Sequence, residues 1–431
     1  MRLQSCPKVG AGELPRMMPP EETIRRVRPF MKQIGVTRIA DTTGLDTLGM
    51  PIFSAIRPDD AGPAGISVYN GKGLTKASSR AGAMMEAIER FCAETWHRPR
   101  QIGCYPEIRA ANPDTFVMNP ASMRLQQEVT GEPERVRTEW GAGWDLLGDR
   151  PVLVPLPMVL CPYQGPGEDI WTCSSNGLAS GNTVEEAVSH ALAELIERDA
   201  LTIATVRTQV VPKVRAVLDA LVHAKPAGPV EPDQSPAPSV RLDTVPADVR
   251  RLIRAAERDG SAVWLRDITS DLGIPTFVAS MRRAENDGTE LAAGGFGCDP
   301  SARIAAIRAI TETAQGRNVQ IQGVREDASA ARQKAPDGGR VLWCADSDRW
   351  VSFADIPSYE HADILSDITL MLDRLSAAGV REVYAVDVSD PTIPASVVKM
   401  IIPEMECWFL HDFAADHARL GARAQRYLPH R

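Results

Sequence analysis

The sequence predicts an α+β fold, and three observations support this prediction. Short strand-like and helix-like segments follow one another without the regular βα alternation of a doubly wound parallel sheet. Apolar residues make up 44% of the chain, and its 32 glycines and 33 prolines are dispersed, as in ordinary globular proteins. An acidic helix-like phrase, AMMEAIER at 83–90, recurs as ALAELIER at 191–198. Two similar helices are therefore expected within a chain of 431 residues.

The elements follow from local periodicity and from the turn residues between segments. In chain order we predict an opening helix in PEETIRRVRPFMKQIGV, strands in PIFSAIRP and AGISVYNGKG, a helix with the first acidic phrase, a strand-like RPVLVPLPMVLCPY, a helix with the second phrase ending near Arg207, a strand pair in AVWLRDIT and IPTFVASM, a third helix in DPSARIAAIRAITETAQGR, a helix near 364–378, and strands in VREVYAVDV and VVKMIIP.

We expect three regions along the chain. Residues 1–65 form an N-terminal helix and strand region, residues 66–330 form a core, and residues 331–431 form a C-terminal α/β part of the same domain. Within the core, the stretch near 222–240 is dense in Pro, Ala and Ser, which predicts an exposed loop away from any site.

Composition excludes several functional classes. The formal charge of −8 disfavours generic nucleic-acid binding, which needs a basic field. The N-terminus lacks the apolar core of a signal peptide, and the longest apolar run is too short and too rich in proline to span a membrane. None of the eight cysteines forms a CxxC pair, so the sequence contains neither a zinc knuckle nor a thioredoxin-type motif. A cytoplasmic location is the default expectation.

A pattern of glycine-containing loop, capped helix and paired polar side chains occurs three times. NGKGLTKASS precedes the first acidic phrase, SSNGLASGNT precedes the second, and AAGGFGCDP precedes a helix with Glu312 and Gln315. Ser78 or Ser79 is expected to cap the first helix and Thr183, in a capping box with Glu186, the second. Asp299 with Pro300 is expected to begin the third.

Residues three apart lie on one helical face, so Glu86 and Glu89 point the same way, as do Glu194 and Glu197. Surface ion pairs within each helix are the alternative explanation, and for a single phrase they are the more common one. Three occurrences behind glycine-containing loops favour a site for Mg²⁺ and a nucleotide, because carboxylates hold Mg²⁺ while loop amides and helix N-termini suit phosphate.

The site does not use a common nucleotide-binding motif, because the chain has no P-loop, no kinase motif set and no GxGxxG opening a βαβ unit. No HExxH or GxSxG motif is present either. His190 lies four residues before Glu194 on the same helical face. It is either a member of the site or, more commonly for a lone histidine, a structural residue.

Three segments together resemble the signature regions of the YcaO superfamily: NGKGLTKASSRAGAMMEAIER, SSNGLASGNTVEEAVSHALAELIERDA and GFGCDPSARIAAIRAITETAQGR. The resemblance covers roughly residues 20–320 well. VTRIADTTGLDTLGMPIFSAIRP further resembles the branch associated with TfuA proteins. The resemblance implies an enzyme that uses ATP and Mg²⁺ to phosphorylate the oxygen of a peptide backbone amide.

The resemblance also implies a set of site residues, carried over position by position. Glu312, Arg198 and Arg308 would be catalytic, and five glutamates would bind metal: Glu86, Glu89, Glu194, Glu197 and Glu312. The nucleotide would contact Arg16, Thr23, Lys72, Glu86, Asn182, Glu186, Glu194, Arg198 and Arg308. Two positions depart from the family pattern, since Gly82 and Ala179 replace serines, although Ser180 adjoins the second.

The resemblance leaves the nucleophile open. Sulfide would give a thioamide with a TfuA-like partner delivering sulfur, whereas a Cys, Ser or Thr side chain would give an azoline. The ending RAQRYLPHR lacks the PxPxP tail of many azoline-forming members, which favours thioamide formation. A nucleotide-binding accessory protein without peptide chemistry and a carboxylate-metal hydrolase remain alternatives. We expect a peptide or protein substrate and no nucleic-acid or membrane partner; a homodimer stays open.

Overall fold

The fold is described from a computed structural model of the chain. The structure describes residues 1–9, 16–58, 66–94, 96–122, 132–168, 174–223, 230, 233, 235–284, 290–323, 343–405 and 422–427. Nine of the 19 residues in the proline-rich stretch predicted as a loop near 222–240 lie outside these residues.

Strands and helices follow one another in the mixed order expected of an α+β fold. The strands are Arg38–Asp41 (β1), Ile52–Ile56 (β2), Val68–Lys72 (β3), Gln101–Gly103 (β4), Phe116–Val117 (β5), Thr138–Asp145 (β6), Arg150–Pro155 (β7), Leu178–Gly181 (β8), Ser239–Val240 (β9), Ala262–Asp267 (β10), Thr276–Ala284 (β11), Glu290–Cys298 (β12), Trp350–Val351 (β13), Tyr384–Asp387 (β14) and Ser396–Ile401 (β15). The helices are Pro20–Val27 (α1), Lys76–Glu94 (α2), Tyr105–Ala111 (α3), Val184–Thr205 (α4), Val211–Val222 (α5), Ala247–Arg258 (α6), Ala302–Gln322 (α7), Ile364–Ala377 (α8) and Ala422–Gln425 (α9).

In the described part of the chain the strands form three sheets. One has the order β1-β2-β3, the second β12-β11-β10-β9-β13, and the third β5-β7-β6-β14-β15-β8 with β4 paired to β6. Neighbours pair antiparallel except β5 with β7 and β9 with β13, which are parallel. The predicted strand pair AVWLRDIT and IPTFVASM is confirmed as β10 and β11.

Each sheet ends in an edge strand that leads directly into one of the three helices carrying the repeated pattern. β3 precedes α2, β8 precedes α4, and β12 precedes α7. The strand and its helix touch backbone to backbone: a Cβ on Gly71 would lie 2.0 Å from the Ser79 carbonyl oxygen, and one on Gly297 2.1 Å from that of Ala305. Glycine is required there because any side chain would separate strand from helix.

The three helices pack into three different hydrophobic clusters. Met84 and Ile88 of α2 lie in one cluster, Leu192 of α4 lies in the second, and Ile307 and Ile310 of α7 lie in the third. The apolar face of each helix thus anchors it on its own side of the molecule, and the polar faces are left to meet. Among the described helices, none combines the length and hydrophobicity needed to cross a bilayer.

Some predicted helix ends differ from the structure. α2 begins at Lys76, and Thr75 rather than Ser78 or Ser79 occupies its N-cap, because the Thr75 hydroxyl accepts the Ser78 N–H at 3.1 Å. The cap of α4 is confirmed, since Thr183 accepts the Glu186 N–H at 3.3 Å. α7 begins after Ser301 instead of Asp299, whose carboxylate accepts the Ser301 N–H at 3.0 Å.

Two apolar segments also end earlier than predicted. The opening helix changes at Val27 into a short 3-10 turn, Arg28–Phe30, because Pro29 cannot donate the next helical hydrogen bond. The strand-like segment RPVLVPLPMVLCPY forms β7 only as far as Pro155 and continues as a 3-10 turn at Leu156–Met158.

Candidate active site

Backbone amides of the three edge strands donate hydrogen bonds to acids of the repeated pattern. The Asn70 N–H of β3 reaches Oε2 of Glu86 at 3.1 Å, and the Ser180 N–H of β8 reaches Oε2 of Glu89 at 2.9 Å. Within the third unit, the Phe296 N–H of β12 reaches Oε1 of Glu312 at 3.3 Å. An unpaired strand edge thereby becomes the support that orients each carboxylate.

The three strand–helix units are also joined to one another in a cycle. Glu89 of α2 is bound by β8, as described above. Glu312 of α7 forms an ion pair with Lys72 of β3. The guanidinium of Arg198, on α4, lies 5.7 Å from the centroid of the Phe296 ring on β12. Each helix therefore contacts the edge strand of a different unit, and all three polar faces converge on one region.

Arg198 lies at the centre of this region. One of its terminal nitrogens is 3.7 Å from Oε1 of Glu194, and the other is 3.4 Å from Oε1 of Glu197. The Arg198 side chain is 17% exposed and that of Glu197 only 4%. Burial alone would lower the pKa of Arg198, but Glu197, Glu194 and Glu312 together raise it. The guanidinium is consequently a fixed positive charge among carboxylates.

Two of the acids have raised pKa values, because the positive charges near them do not offset burial and the neighbouring carboxylates. Burial raises the pKa of Glu89 to about 8, and the carboxylates of Glu86 and Glu194 add to this rise while Arg90 opposes it. Burial likewise raises the pKa of Glu197 to about 7, although Arg198 opposes it. A divalent cation at these carboxylates would supply the missing positive charge.

Glu312 has the opposite electrostatic environment. Burial would raise its pKa, but the Lys72 ammonium and the Arg198 guanidinium outweigh this effect and hold its pKa below the usual range. Glu312 is therefore ionised at neutral pH, and its second oxygen is held by the amide of Phe296. Gln315, one turn further along α7, donates to the Asn70 carbonyl at 2.6 Å and ties α7 to β3.

A narrow cavity of about 40 Å³ adjoins these acids and is rich in charged groups. Its lining consists of Lys8, Arg16, Glu186, Ser189, His190, Ala193, Asp299, Ile304, Arg308, Ile364 and Asp367. Burial, together with the positive charges of Arg308, Arg16 and Lys72, lowers the pKa of His190 well below its usual value. His190 is therefore neutral, in a cavity whose lining combines three basic side chains with three acidic ones.

Glu186 connects the N-terminal segment to the second unit. Its carboxylate accepts the Met17 N–H at 2.5 Å and both the backbone and side-chain N–H groups of Asn182, at 2.7 and 2.9 Å. The Thr23 hydroxyl donates to the side-chain oxygen of Asn182 at 3.0 Å. These contacts bring Arg16 to the cavity, whereas direct nucleotide contacts by Thr23, Asn182 and Glu186 remain predictions.

The donor set fits Mg²⁺ better than a metal that requires a preformed cage. Within the residues that the structure describes, no three His, Cys, Asp or Glu side chains are grouped closely enough to enclose a metal ion. Mg²⁺ is usually bound by one or two carboxylates, with phosphate oxygens and water completing its octahedron. Glu89, Glu194 and Glu197 supply carboxylates beside the cations that phosphates need, so the residues present fit Mg²⁺ with a nucleotide.

A larger cavity of about 440 Å³ lies elsewhere, between β9 and β10. Its lining includes Trp264 and Trp350 and none of the residues expected from the sequence to form the site. We identify the candidate site by the convergence of the three strand–helix units, because charge and geometry bear on chemistry more directly than volume does.

Sequence reasoning missed several residues of the site. Lys8 lines the cavity and pairs with Asp367 at 2.5 Å, but a lone lysine carries no local signal. Phe296 was part of a quoted motif, yet its stacking with Arg198 depends on tertiary packing. At the position next to Ala179, the Ser180 hydroxyl donates to Glu89 at 3.2 Å. A hydroxyl contact to a signature acid is thus present despite the departure from the family pattern.

Comparison with known proteins identifies relatives of the whole chain. An uncharacterized protein of Methanothermobacter thermautotrophicus is 31% identical over 95% of this chain and 98% of its own length. An uncharacterized protein in the tfuA 3′ region of Rhizobium leguminosarum bv. trifolii is 30% identical over 95% of this chain and 92% of its own length.

Solved structures share the fold. The YcaO protein of Methanopyrus kandleri, solved with AMPPCP and Mg²⁺, matches 96% of this chain and 98% of its own with a TM-score of 0.71 and 23% identity. A heterocyclase solved with substrate and cofactor matches 94% of this chain and 54% of its own with a TM-score of 0.73 and 23% identity.

The family model described as YcaO cyclodehydratase, ATP- and Mg²⁺-binding, matches residues 70–406. This match spans well over half of the chain and includes all three helices of the repeated pattern, α2, α4 and α7. It confirms the resemblance seen in the sequence. The chain belongs to the YcaO family of ATP- and Mg²⁺-dependent peptide-modifying enzymes.

Proposed function

We propose that this protein phosphorylates the oxygen of a peptide backbone amide with ATP, and that a TfuA-like partner then supplies sulfur to form a thioamide. The observation that carries the phosphorylation step is the position of Arg198 between the carboxylates of Glu194 and Glu197. The choice of sulfur is supported by the Rhizobium relative, whose name records a gene position beside tfuA.

The residues of this chain have separable roles in the proposal. Glu89, Glu194 and Glu197 would hold Mg²⁺, which would neutralise the negative charge of a bound triphosphate. Arg198 donates hydrogen bonds to phosphate oxygens that gain charge during transfer. Phe296 keeps the guanidinium in place by stacking.

The remaining charged residues, Lys72, Arg16 and Arg308, would orient the acid Glu312 and the phosphates of the nucleotide. Lys72 balances Glu312 and keeps this acid ionised at the edge of the site. Arg308 lies one turn before Glu312 on α7 and lines the charged cavity with Arg16. We assign these two arginines to phosphate oxygens, because a phosphate needs more than one donor.

The bonds balance as follows. The amide oxygen attacks the terminal phosphorus of ATP, and ADP leaves. Sulfide, delivered by the partner, adds to the amide carbon; the carbon–oxygen bond then breaks, and the oxygen leaves with phosphate. Oxygen is thus replaced by sulfur without a change in oxidation state.

The second candidate is azoline formation, in which a Cys, Ser or Thr side chain replaces sulfide as the nucleophile. It is favoured by the description of the family model as a cyclodehydratase. Both reactions need the same phosphorylated amide, so the residues discussed above do not separate them. An accessory role without peptide chemistry differs from both, because its ATP consumption would not depend on added peptide.

Mass spectrometry of peptide incubated with the protein, ATP, Mg²⁺, sulfide and a TfuA-like protein tests the proposal. Replacement of oxygen by sulfur adds about 16 Da, whereas azoline formation removes about 18 Da. We expect the heavier product, and its loss when Arg198→Gln replaces the wild type. A product lighter by one water would show the second candidate to be right. ATP consumption that ignores the peptide would leave the accessory role.

A further inference from the structure

The backbone of residues 6–8 is attached to the start of α8. The Cys6 N–H donates to the carboxylate of Asp363, which is the N-cap of α8, at 3.0 Å. Two residues further on, the Lys8 N–H donates to the Ala362 carbonyl at 2.9 Å. These contacts hold the Lys8 side chain in the lining of the charged cavity beside α4.

Lys8 forms a largely buried ion pair with an acid of α8. Its ammonium nitrogen is 2.5 Å from Oδ2 of Asp367, and the two side chains are only 14% and 7% exposed. The other oxygen of Asp367 lies 2.9 Å from Nδ1 of His361, which holds the carboxylate in place. Since a lysine side chain is otherwise flexible, Asp367 determines where Lys8 places its charge in the cavity.

The other acids of the cavity are engaged with backbone groups. Glu186 accepts the three hydrogen bonds described above, and Asp299 accepts a backbone N–H at the start of α7. Arg16 and Arg308 form no ion pair with any residue that the structure describes. The groups that remain for a ligand are therefore the two guanidiniums and the ammonium of Lys8, which suit phosphate oxygens.

We propose that Lys8 binds a phosphate oxygen of the nucleotide, and that Asp367 is the positioning residue that holds Lys8 at the cavity. The inference rests on the proposed function, because it takes the cavity as part of the nucleotide site. An ammonium has several N–H donors, so Lys8 can pair with Asp367 and still donate to a phosphate. Without Asp367 the lysine would lack a buried counter-charge, and its side chain would turn towards solvent.

Removal of Asp367 distinguishes positioning from a simple effect of its charge. If Asp367 acted only as a negative charge, Asp367→Asn would tighten nucleotide binding, because repulsion of the phosphates would be lost. Because Asp367 positions Lys8, we expect the opposite sign, a dissociation constant raised by about fivefold. In a Lys8→Met background no ammonium remains to be positioned, so Asp367→Asn should leave the dissociation constant unchanged or lower it.

Calorimetric titration of the full chain with Mg²⁺ and a non-hydrolysable ATP analogue measures these dissociation constants. Lys8→Met alone should raise the value by about tenfold, because a charge-assisted hydrogen bond to phosphate is lost. Lys32→Met is the matched control, since Lys32 is exposed in the turn that follows α1, and it should leave the value unchanged. Thermal melting without nucleotide verifies that each variant folds.

The sign of the Asp367→Asn effect decides the proposal even where Lys8→Met does not fold. Binding that is unchanged or tighter in Asp367→Asn, binding that is unchanged in Lys8→Met, or an equal loss from Asp367→Asn in both backgrounds would each overturn it. A wild type that binds no nucleotide would contradict the proposed function as well, whereas variants that bind as the wild type does would overturn this inference alone.

Discussion

The two helices that carry the repeated acidic phrase are engaged differently by the protein around them. On α2, Glu86 and Glu89 accept hydrogen bonds from edge-strand amides at 3.1 and 2.9 Å. On α4, Glu194 and Glu197 instead face the guanidinium of Arg198 at 3.7 and 3.4 Å. The five residues that match between the two phrases therefore lie in different environments. The acids of α2 are held by backbone amides, whereas the acids of α4 face a guanidinium.

The arginines at the end of each phrase differ in the same way. Arg198 stacks on Phe296 and faces two acids from within the site. Arg90 is largely buried beside Glu86 and Glu89, and its Nε has no hydrogen-bond partner among the described residues. The repeated sequence therefore preserves the fold of each unit, whereas the chemical role of its side chains depends on which neighbouring strand they contact.

The largest expected difference is between the two arginines. Arg198→Gln should lower ATP turnover by about 10³-fold, because the positive charge acts on phosphate oxygens only during transfer. Arg90→Gln should lower turnover by less than about tenfold and act mainly on the melting temperature, since it removes a buried countercharge. Steady-state turnover and thermal melting of both variants check this. Equal losses of turnover would show that the two helices share one role.

Removal of single carboxylates is expected to give the next largest effect. Glu89→Gln and Glu197→Gln keep the side-chain size and remove a metal ligand, so turnover should fall by about 10²-fold or more. If these acids were surface ion-pair partners only, stability would change by less than about 1 kcal/mol and turnover would be unaffected. Turnover at saturating Mg²⁺ and circular dichroism of the variants distinguish the two outcomes.

The raised pKa of Glu89 predicts a pH dependence of stability in metal-free protein. The folded state holds the proton up to a pKa of about 8, whereas the unfolded carboxyl releases it near its ordinary value. Between these values the folded state binds more protons, so the free energy of unfolding falls as the pH rises.

Between about pH 5 and pH 8.5, the free energy of unfolding of the Glu89→Gln variant should fall less than that of the wild type, by about 2 kcal/mol or more. Urea unfolding in the presence of a chelator, at both pH values, measures the difference. An identical pH slope in wild type and variant would mean that Glu89 is already ionised and compensated in the fold.

The smallest effects concern the packing of the first unit. Gly71→Ala should destabilise the protein by about 1–3 kcal/mol, because its Cβ would overlap the backbone of α2. Gly82→Ser, which introduces the serine usual in the family, should change stability by less than about 1 kcal/mol, since a Cβ there lies 3.4 Å from the nearest atom, the Cα of Gly71. Denaturant unfolding of both variants makes the comparison.

Local sequence information predicts much of the fold but not how its units meet. Capping residues, glycine-containing loops and apolar periodicity predict α2, α4 and α7 because these signals lie within about twenty residues of one another. The contact of Ser180 with Glu89 joins residues 91 positions apart, and Lys72 meets Glu312 across 240. Such contacts depend on the arrangement of three sheets, which no local pattern encodes.

The expected domain boundaries remain a prediction. β14 and β15, from the proposed C-terminal region, lie between β6 and β8 in one sheet, so this region is continuous with the core in the described structure. Strand order depends on pairing between distant parts of the chain, so strands that are neighbours in a sheet can be assigned to different regions when only the sequence is considered.

The most direct test of the account is a calorimetric titration of the protein with a non-hydrolysable ATP analogue, with and without Mg²⁺. In the proposed site, acids of two similar helices hold Mg²⁺ and nucleotide together beside Arg198. We expect binding that depends on Mg²⁺ and weakens by about tenfold or more in both Glu89→Gln and Glu197→Gln. Binding of equal strength without Mg²⁺ and in both variants, or no binding at millimolar nucleotide, would contradict it.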